Sequence, residues 1–138
     1  MIDEKLANRL LNAAKIAQRN AYAPYSHYRV GAALLATNGK TYIGCNVENA
    51  SFGVTNCAER TALFSAIADG AREFIALAVV GGIDNTFDNS IVPCGICRQA
   101  LVEFCKEDFP VILKNNNTYR IISLGDFLPH SFSPKNLS

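Results

Sequence analysis

Two short fragments of the sequence combine residues whose types and spacing suit a metal site. Cys57 is followed two positions later by Glu59, and Cys94 and Cys97 form a CxxC pair preceded by Pro93. Each fragment lies where a strand or loop gives way to a predicted helix, so the free N–H groups and the positive dipole end of that helix favour thiolate over thiol. Two such helix starts facing one another would bring three sulfur ligands together.

A three-sulfur site of this kind predicts catalysis. Three protein ligands leave a tetrahedral zinc ion with an open fourth position, and zinc lowers the pKa of water in that position to about 7. Three thiolates also concentrate negative charge, and Arg60, next to Glu59, is a natural residue to offset it. A Cys followed two positions later by Glu, with a distant PCxxC, is the pattern of zinc deaminases, in which the Glu transfers protons and is not a ligand.

Other interpretations of the same residues stay open at the level of sequence. Cys94 and Cys97 alone could form a redox pair or half of a structural zinc site. Glu59 could instead be the acidic partner in a capping box opened by Asn56. Arg60 could be a solvated surface charge.

The elements that must position these residues follow from the hydrophobic periodicity. The predicted elements are an amphipathic helix capped by Asp3 and reaching about Arg19, a hairpin with strands 30–36 and 40–47 around Asn38-Gly39, a helix 57–69, a strand 74–80 ending at Gly81-Gly82, a helix from 94 through 105, and short strands 111–113 and 119–122. This order predicts a mixed sheet covered by helices on both faces. The run 114–118 is predicted to be a turn and the tail from 129 a loose end, and Cys45 and Cys105 are expected in the core.

Composition limits the class of protein. The chain has 138 residues, 49% of them hydrophobic, which is enough for one domain with one sizeable core. Thirteen Lys and Arg against twelve Asp and Glu, with no run of like charges, argue against a nucleic-acid partner. No apolar stretch has the length of a membrane span, and the amphipathic start MIDEKLANRLL does not resemble a secretion signal. We therefore expect a cytoplasmic protein, whose five cysteines are ligands or core residues rather than disulfides.

Further motifs resemble the small, homotetrameric cytidine deaminases over nearly the whole length. They are APYSHY with VGAALL, then GCNVENASFG, CAERTAL, PCGICRQAL and FLPHSF, in the family's order. The resemblance implies an α/β fold, a cytidine-deaminase-like three-layer α/β/α sandwich around a mixed five-stranded sheet, in a single domain over residues 1–138. It also implies one Zn²⁺ per subunit, held by Cys57, Cys94 and Cys97, with Glu59 as the proton shuttle.

The resemblance extends to the substrate contacts. Asn46 and Glu48 match residues that hold the ribose hydroxyls, although either could otherwise serve a turn after a strand. Tyr28 matches a position near the base where the family usually has Phe, and Ala58 matches a further substrate-binding position. Phe132 matches a tail aromatic that a neighbouring subunit contributes, so the active sites of the homotetramer would be shared.

The implied activity is the hydrolytic deamination of free cytidine and 2'-deoxycytidine to uridine and 2'-deoxyuridine plus ammonia, in pyrimidine salvage. Two departures from the family's pattern, Phe52 in place of Tyr and Arg29 in place of Pro, bear on sugar recognition and leave the zinc chemistry untouched. The alternatives are a deaminase of another free aminopyrimidine such as blasticidin, a deaminase that edits nucleic acid, and a zinc or redox module without catalysis. The near-neutral charge disfavours nucleic acid, and ammonia release with metal stoichiometry separates enzyme from module.

Overall fold

The strands form one mixed sheet with helices on both faces in the computed structural model, which describes residues 2–138. In chain order the elements are α1 (Glu4–Gln18), β1 (Tyr28–Ala36), β2 (Thr41–Cys45), α2 (Ala58–Ala68), β3 (Phe74–Ile83), α3 (Gly95–Val102), β4 (Pro110–Asn115), β5 (Thr118–Ser123) and α4 (Leu124–Phe127). The strand order is β2-β1-β3-β4-β5, in which β3 and β4 run parallel and the other neighbours antiparallel. The predicted mixed five-stranded sheet is confirmed.

Alternating side chains of the central strands build a separate core layer on each face of the sheet. On one face, α1 and the strands meet through Ala7, Leu10, Leu11, Ala14, Ala33, Leu35, Ala76, Ala78, Val80 and Ile112. On the other face, α2, α3 and α4 contribute Ala58, Ala62, Leu63, Ala66, Leu101, Leu124 and Phe127, which pack on Ala32, Leu34, Leu77, Val79, Val111 and Leu113. These two layers make the three-layer α/β/α sandwich that the resemblance implied.

Two strand glycines let helices approach the sheet closely from opposite sides. A Cβ at Gly44 in β2 would lie 2.5 Å from both the backbone oxygen of Ala58 and the backbone nitrogen of Ala62 in α2. A Cβ at Gly31 in β1 would likewise collide with the backbone of α1 at Ala14. Because backbone atoms cannot rotate away as a side chain can, Gly44 fixes the distance between β2 and the first turn of α2.

Several boundaries differ from the sequence prediction. Strands β1 and β3 are both longer than expected, because their antiparallel pairing continues as far as Tyr28 and Ile83. Strand β2 ends at Cys45, short of residue 47, because the side chain of Asn46 bonds to β1 where the ladder would otherwise continue. The Asn38-Gly39 turn is confirmed, with Gly39 at φ +87°.

The segment after α3 is more ordered than predicted. Helix α3 ends at Val102 rather than near Cys105, although the N–H of Cys105 still reaches the carbonyl of Leu101 at 2.8 Å. The short helix α4 precedes the tail, and the tail itself contains a 3-10 turn at Pro134–Asn136, so the expected loose end from residue 129 is wrong in part. None of the helices within residues 2–138 is both long and apolar enough to cross a bilayer.

Candidate active site

Three thiol groups meet at the N-terminal ends of α2 and α3. Cys57 is the N-cap residue of α2, Cys94 is the N-cap residue of α3, and Cys97 lies in the first turn of α3. The Sγ atom of Cys94 is 3.5 Å from the Sγ atoms of both Cys57 and Cys97, and all three sulfur atoms lie within 4.8 Å of one another. The fold therefore brings together the three cysteines that the sequence singled out.

The separations of the sulfur atoms suit a tetrahedral zinc ion. Zn–S bonds of about 2.3 Å would place two sulfur ligands roughly 3.8 Å apart, close to the 3.5 Å of two of the pairs. No fourth Cys, His, Asp or Glu joins the cluster anywhere in residues 2–138. Three ligands fit a catalytic zinc site with an open position, not a closed structural one. Cys97 is buried, Cys57 half-buried and Cys94 exposed, so a ligand can reach the cluster from one side.

Charge at the cluster is shared unequally between the thiols. Contact with the Cys97 thiol and a bond from Arg60 overcome burial and lower the pKa of Cys57 to about 5. Donation to Cys57 and burial raise the pKa of the Cys97 thiol. The Nη2 atom of Arg60 lies 3.5 Å from the Sγ atom of Cys57. Burial works against the charge of Arg60, but its contacts with Cys57 and Cys97 prevail and raise its pKa.

Glu59 is the buried carboxyl group of the site. Its exposed fraction is 4%, and it lies in the first turn of α2. Burial raises the pKa of Glu59 to about 7, and the negative charge of Cys57 acts in the same direction. The capping-box alternative is wrong, because Cys57 and not Asn56 is the N-cap of α2, and the side chain of Asn56 donates instead to Thr61 Oγ1 at 3.0 Å.

The segment after β2 runs beside the start of α2. Val47 exchanges two backbone hydrogen bonds with Asn56, at 2.9 and 3.0 Å. Asn46 is buried, its Oδ1 accepts from the N–H of Val30, and its Nδ2 donates to the carbonyl of Tyr28, each at 2.8 Å. The amide therefore joins two strands rather than forming a local turn, and one of its N–H groups remains for another partner.

Glu48 is fixed by a short turn that precedes β1. Its Oε1 accepts the backbone N–H groups of Tyr25 and Ser26 at 2.9 and 3.1 Å, and its Oε2 accepts the hydroxyl of Ser26. Desolvation opposes ionisation, but the bonds from Ser26 and Tyr25 outweigh it and lower the pKa of Glu48. The carboxylate of Glu48, two residues after Asn46 in the chain, is therefore ionised and held in one orientation.

The side chains of Tyr28 and Arg29 fasten the loop that leads to Cys94. The hydroxyl of Tyr28 donates to Asp88 Oδ2 at 2.9 Å, and burial followed by the bond to Asp88 raises the pKa of Tyr28 to about 12. The Nη1 of Arg29 donates to Asn85 Oδ1 at 3.3 Å. Both contacts depend on polar groups that the usual Phe and Pro of the family would lack.

Ala58 and Phe132 are exposed to different extents: the side chain of Ala58 is buried, whereas Phe132 is exposed. The side chain of Ala58 is fully buried in the core, and its N–H lies in the first turn of α2, where helix donors have no intrahelical acceptor. Phe132 is 59% exposed, and its carbonyl accepts from Gln99 Nε2 at 2.9 Å. The ring of Phe132 is thus free to contact another molecule.

Three polar residues around the site escaped the sequence reasoning. Ser26 bonds to Glu48, Asp88 bonds to Tyr28, and Arg98 donates from Nε to the carbonyl of Pro93 at 2.7 Å. Ser26 lies in the aperiodic segment APYSHY that precedes the predicted strand 30–36, and short side-chain bonds at such a turn are a recognisable signal. Asp88 lies in an aperiodic polar loop, where no local pattern marks a long-range partner.

A buried carboxyl group beside three converging thiols with room for a fourth ligand defines the class of metal-dependent hydrolases that activate water. Residues 4–113 match the family described as the cytidine and deoxycytidylate deaminase zinc-binding region. The chain belongs to this family. The family's zinc-binding region and the three-thiol cluster together identify Zn²⁺ as the metal of the site.

Individual cytidine deaminases are similar to this chain over most of their length. The chain is 46% identical to a cytidine deaminase of Sporosarcina psychrophila over 131 residues, which cover 94% of this chain and 93% of the relative. It is 42% identical to a cytidine deaminase of Halalkalibacterium halodurans, with 94% and 96% covered. A crystal structure of cytidine deaminase from Burkholderia pseudomallei superposes with a TM-score of 0.82 at 52% identity, covering 91% of this chain and 98% of that one.

Proposed function

We propose that this chain hydrolyses the 4-amino group of free cytidine and 2'-deoxycytidine, giving uridine and 2'-deoxyuridine plus ammonia. The observation that carries the proposal is the meeting of Cys57, Cys94 and Cys97 beside the buried Glu59. The identity with cytidine deaminases, 46% over 131 residues in one case, directs this chemistry to a cytosine base.

The residues of the site divide the reaction between them. When bound, zinc supplies an acidified water as the nucleophile. Water adds at C4 of the pyrimidine, the bond between C4 and the amino nitrogen breaks, and C4 becomes a carbonyl. Glu59 takes one proton from the attacking water and passes it to N3, and it then takes the proton of the new hydroxyl on C4 and passes it to the departing amine, which leaves as ammonia. Arg60, 3.5 Å from the Cys57 sulfur, offsets the negative charge of the thiolates.

The polar residues after β2 support a nucleoside rather than a free base as the substrate. Glu48 presents an ionised carboxylate, and Asn46 retains one N–H group. A carboxylate and an amide two residues apart on one segment can accept from and donate to the hydroxyls of a sugar. Tyr28 is placed by its bond to Asp88 and would pack near the base, and the N–H of Ala58 is available to a polar atom of the substrate.

We further propose a cytoplasmic homotetramer with one zinc per subunit and active sites shared between subunits. Large apolar side chains remain exposed on the single chain, including Tyr22, Tyr25, Phe52, Val54, Phe132 and Leu137. Burial of these side chains against other copies would be favourable, because it removes apolar area from water. Phe132 of one subunit would then close over the base in the site of another.

A panel of substrates tests the proposed function. We expect ammonia release from cytidine and 2'-deoxycytidine, and far slower release from cytosine, CMP, blasticidin and a cytosine-containing oligonucleotide. Zinc content measured on the same preparation should be one ion per chain. Deamination of the oligonucleotide or of cytosine at the rate of cytidine would contradict the assignment to free nucleosides.

A further inference from the structure

We propose that Ser26 is a positioning residue for sugar recognition, acting through Glu48. The inference rests on the proposed function, in which Glu48 holds the sugar hydroxyls. Ser26 supplies two of the three hydrogen bonds that Glu48 receives, one from its backbone N–H at 3.1 Å and one from its hydroxyl. Ser26 itself is exposed, as a residue at a ligand-accessible site should be.

The hydroxyl of Ser26 decides the orientation of the oxygen that remains for a ligand. Oε1 of Glu48 already accepts two backbone N–H groups, so Oε2 is the atom with spare acceptor capacity. Ser26 Oγ donates to Oε2 and at the same time accepts the N–H of Tyr28 at 3.0 Å. Both hydrogen-bonding roles of the hydroxyl are therefore used, and a methyl group could fill neither.

The turn that carries Ser26 is held in place independently of its side chain. The N–H of His27 donates to the carbonyl of Ala23 at 3.0 Å, and the N–H of Glu48 donates to the carbonyl of Tyr22 at 2.8 Å. Removal of the Ser26 hydroxyl should therefore release the carboxylate oxygen without unfolding the turn. The hydroxyl of Ser26 thus links the carboxylate of Glu48 to the backbone N–H of Tyr28, the first residue of β1.

Nucleoside affinity and steady-state kinetics test this role in the zinc-loaded protein. Loss of one bond to a charged group should weaken uridine binding, measured by calorimetry, about tenfold and raise KM for cytidine by about the same factor, with kcat within about twofold. Ser26→Ala should leave the affinity for 2',3'-dideoxyuridine unchanged, because that ligand lacks both sugar hydroxyls. Ser26→Thr should restore the affinity for uridine, and Ser65→Ala, at an exposed serine of α2, should behave as wild type.

A double-mutant cycle separates action through Glu48 from a general effect. In a Glu48→Gln background, Ser26→Ala should cause no further loss of uridine affinity. An equal loss in that background, an equal loss for the dideoxy ligand, or no loss at all would overturn the role of Ser26. Unchanged uridine binding in Glu48→Gln would overturn the sugar role of Glu48 and the inference with it, whereas absent ammonia release from cytidine would count against the proposed function separately.

Discussion

At the scale of single residues, environment divides the five cysteines into two chemical groups. Burial raises the pKa of Cys105 to about 12, and desolvation also raises the pKa of Cys45, so both remain protonated thiols at neutral pH. In contrast, Cys57 has its pKa lowered to about 5 by its contacts with Cys97 and Arg60. Cys57 also meets Cys94 and Cys97 at the two helix starts, whereas Cys45 and Cys105 lie outside that cluster, so these three thiols form the group that can bind one cation together.

Alanine substitution of each cysteine should reveal this division. Because three ligands hold the ion, Cys57→Ala, Cys94→Ala and Cys97→Ala should each lose zinc, whereas Cys45→Ala and Cys105→Ala should keep about one ion per chain. Metal analysis of the five purified variants measures this, with the last two as matched controls. Zinc retained at full occupancy in Cys94→Ala would mean that the ligand set is wrong.

Residue types and spacing predicted the meeting of the three thiols because helix starts are locally encoded. The CxE and PCxxC fragments each precede an apolar period, and both cysteine N-caps fall at residues where that period begins. Cys105 was predicted to be a core residue, and its side chain packs against the larger core cluster. Cys45, also predicted in the core, is half-buried at the end of β2. Ser26 and Asp88 were missed because their partners, Glu48 and Tyr28, are 22 and 60 residues away.

At the scale of elements, the close approach of β2 and α2 positions the first turn of α2, which carries Glu59. Gly44 lies against the backbone of Ala58 and Ala62, so the helix start that carries Cys57 and Glu59 is seated directly on the sheet. The same strand pair leads into the Asn46 to Glu48 segment. The distance between the proposed sugar contacts and the thiols thus depends on this helix–strand contact and on the two backbone bonds between Val47 and Asn56.

Gly44→Ala should damage both stability and metal retention. A Cβ 2.5 Å from two backbone atoms forces α2 away from β2, and overpacking of this kind costs about 1–3 kcal/mol. Denaturant unfolding of the zinc-loaded protein should show this loss, and a chelator should remove zinc faster than from wild type. Gly53→Ala is the matched control, since a Cβ there meets nothing within 4 Å. Equal stability of the two variants would contradict the close-approach argument.

Periodicity predicted the type and order of the main elements, and pairing across the sheet decided their ends. The extension of β1 to Tyr28 depends on Ile83, which is remote in sequence, so no local window contains the signal. The early end of β2 depends on the side chain of Asn46. It bonds to the N–H of Val30 and the carbonyl of Tyr28 in β1, where backbone pairing would otherwise continue. Helix α4 has only four residues, too few for a helical period to be recognised.

At the scale of the whole molecule, the exposed aromatic residues support the proposal that several chains form the functional unit. Phe52 is 76% exposed and Phe132 59% exposed, although each belongs to a motif matched to the site. The backbone of the tail is held, since the carbonyl of Phe132 bonds to Gln99 and Ser133 begins a 3-10 turn. An ordered tail with a free ring suits contact with a neighbouring subunit.

Mixed assemblies test whether the sites are shared. Chains carrying Glu59→Ala and chains carrying Phe132→Ala should each be impaired alone. When the two are co-expressed, some sites combine an intact Glu59 with an intact Phe132 from another chain, so cytidine deamination should recover. Native mass measurement confirms that mixed tetramers formed. Activity no higher than that of the Phe132→Ala sites alone would place Phe132 within its own chain or outside the site.

The most direct test of the central claim is to measure zinc content and cytidine turnover together in Glu59→Gln. Glutamine keeps the shape of the side chain but cannot take up and release a proton, and loss of general acid–base catalysis is worth about 100- to 10,000-fold in rate. Glu59 is not one of the clustered ligands, so the variant should hold one zinc per chain. We predict full zinc occupancy with turnover reduced by a factor in that range. Near-normal turnover at full occupancy would contradict the account.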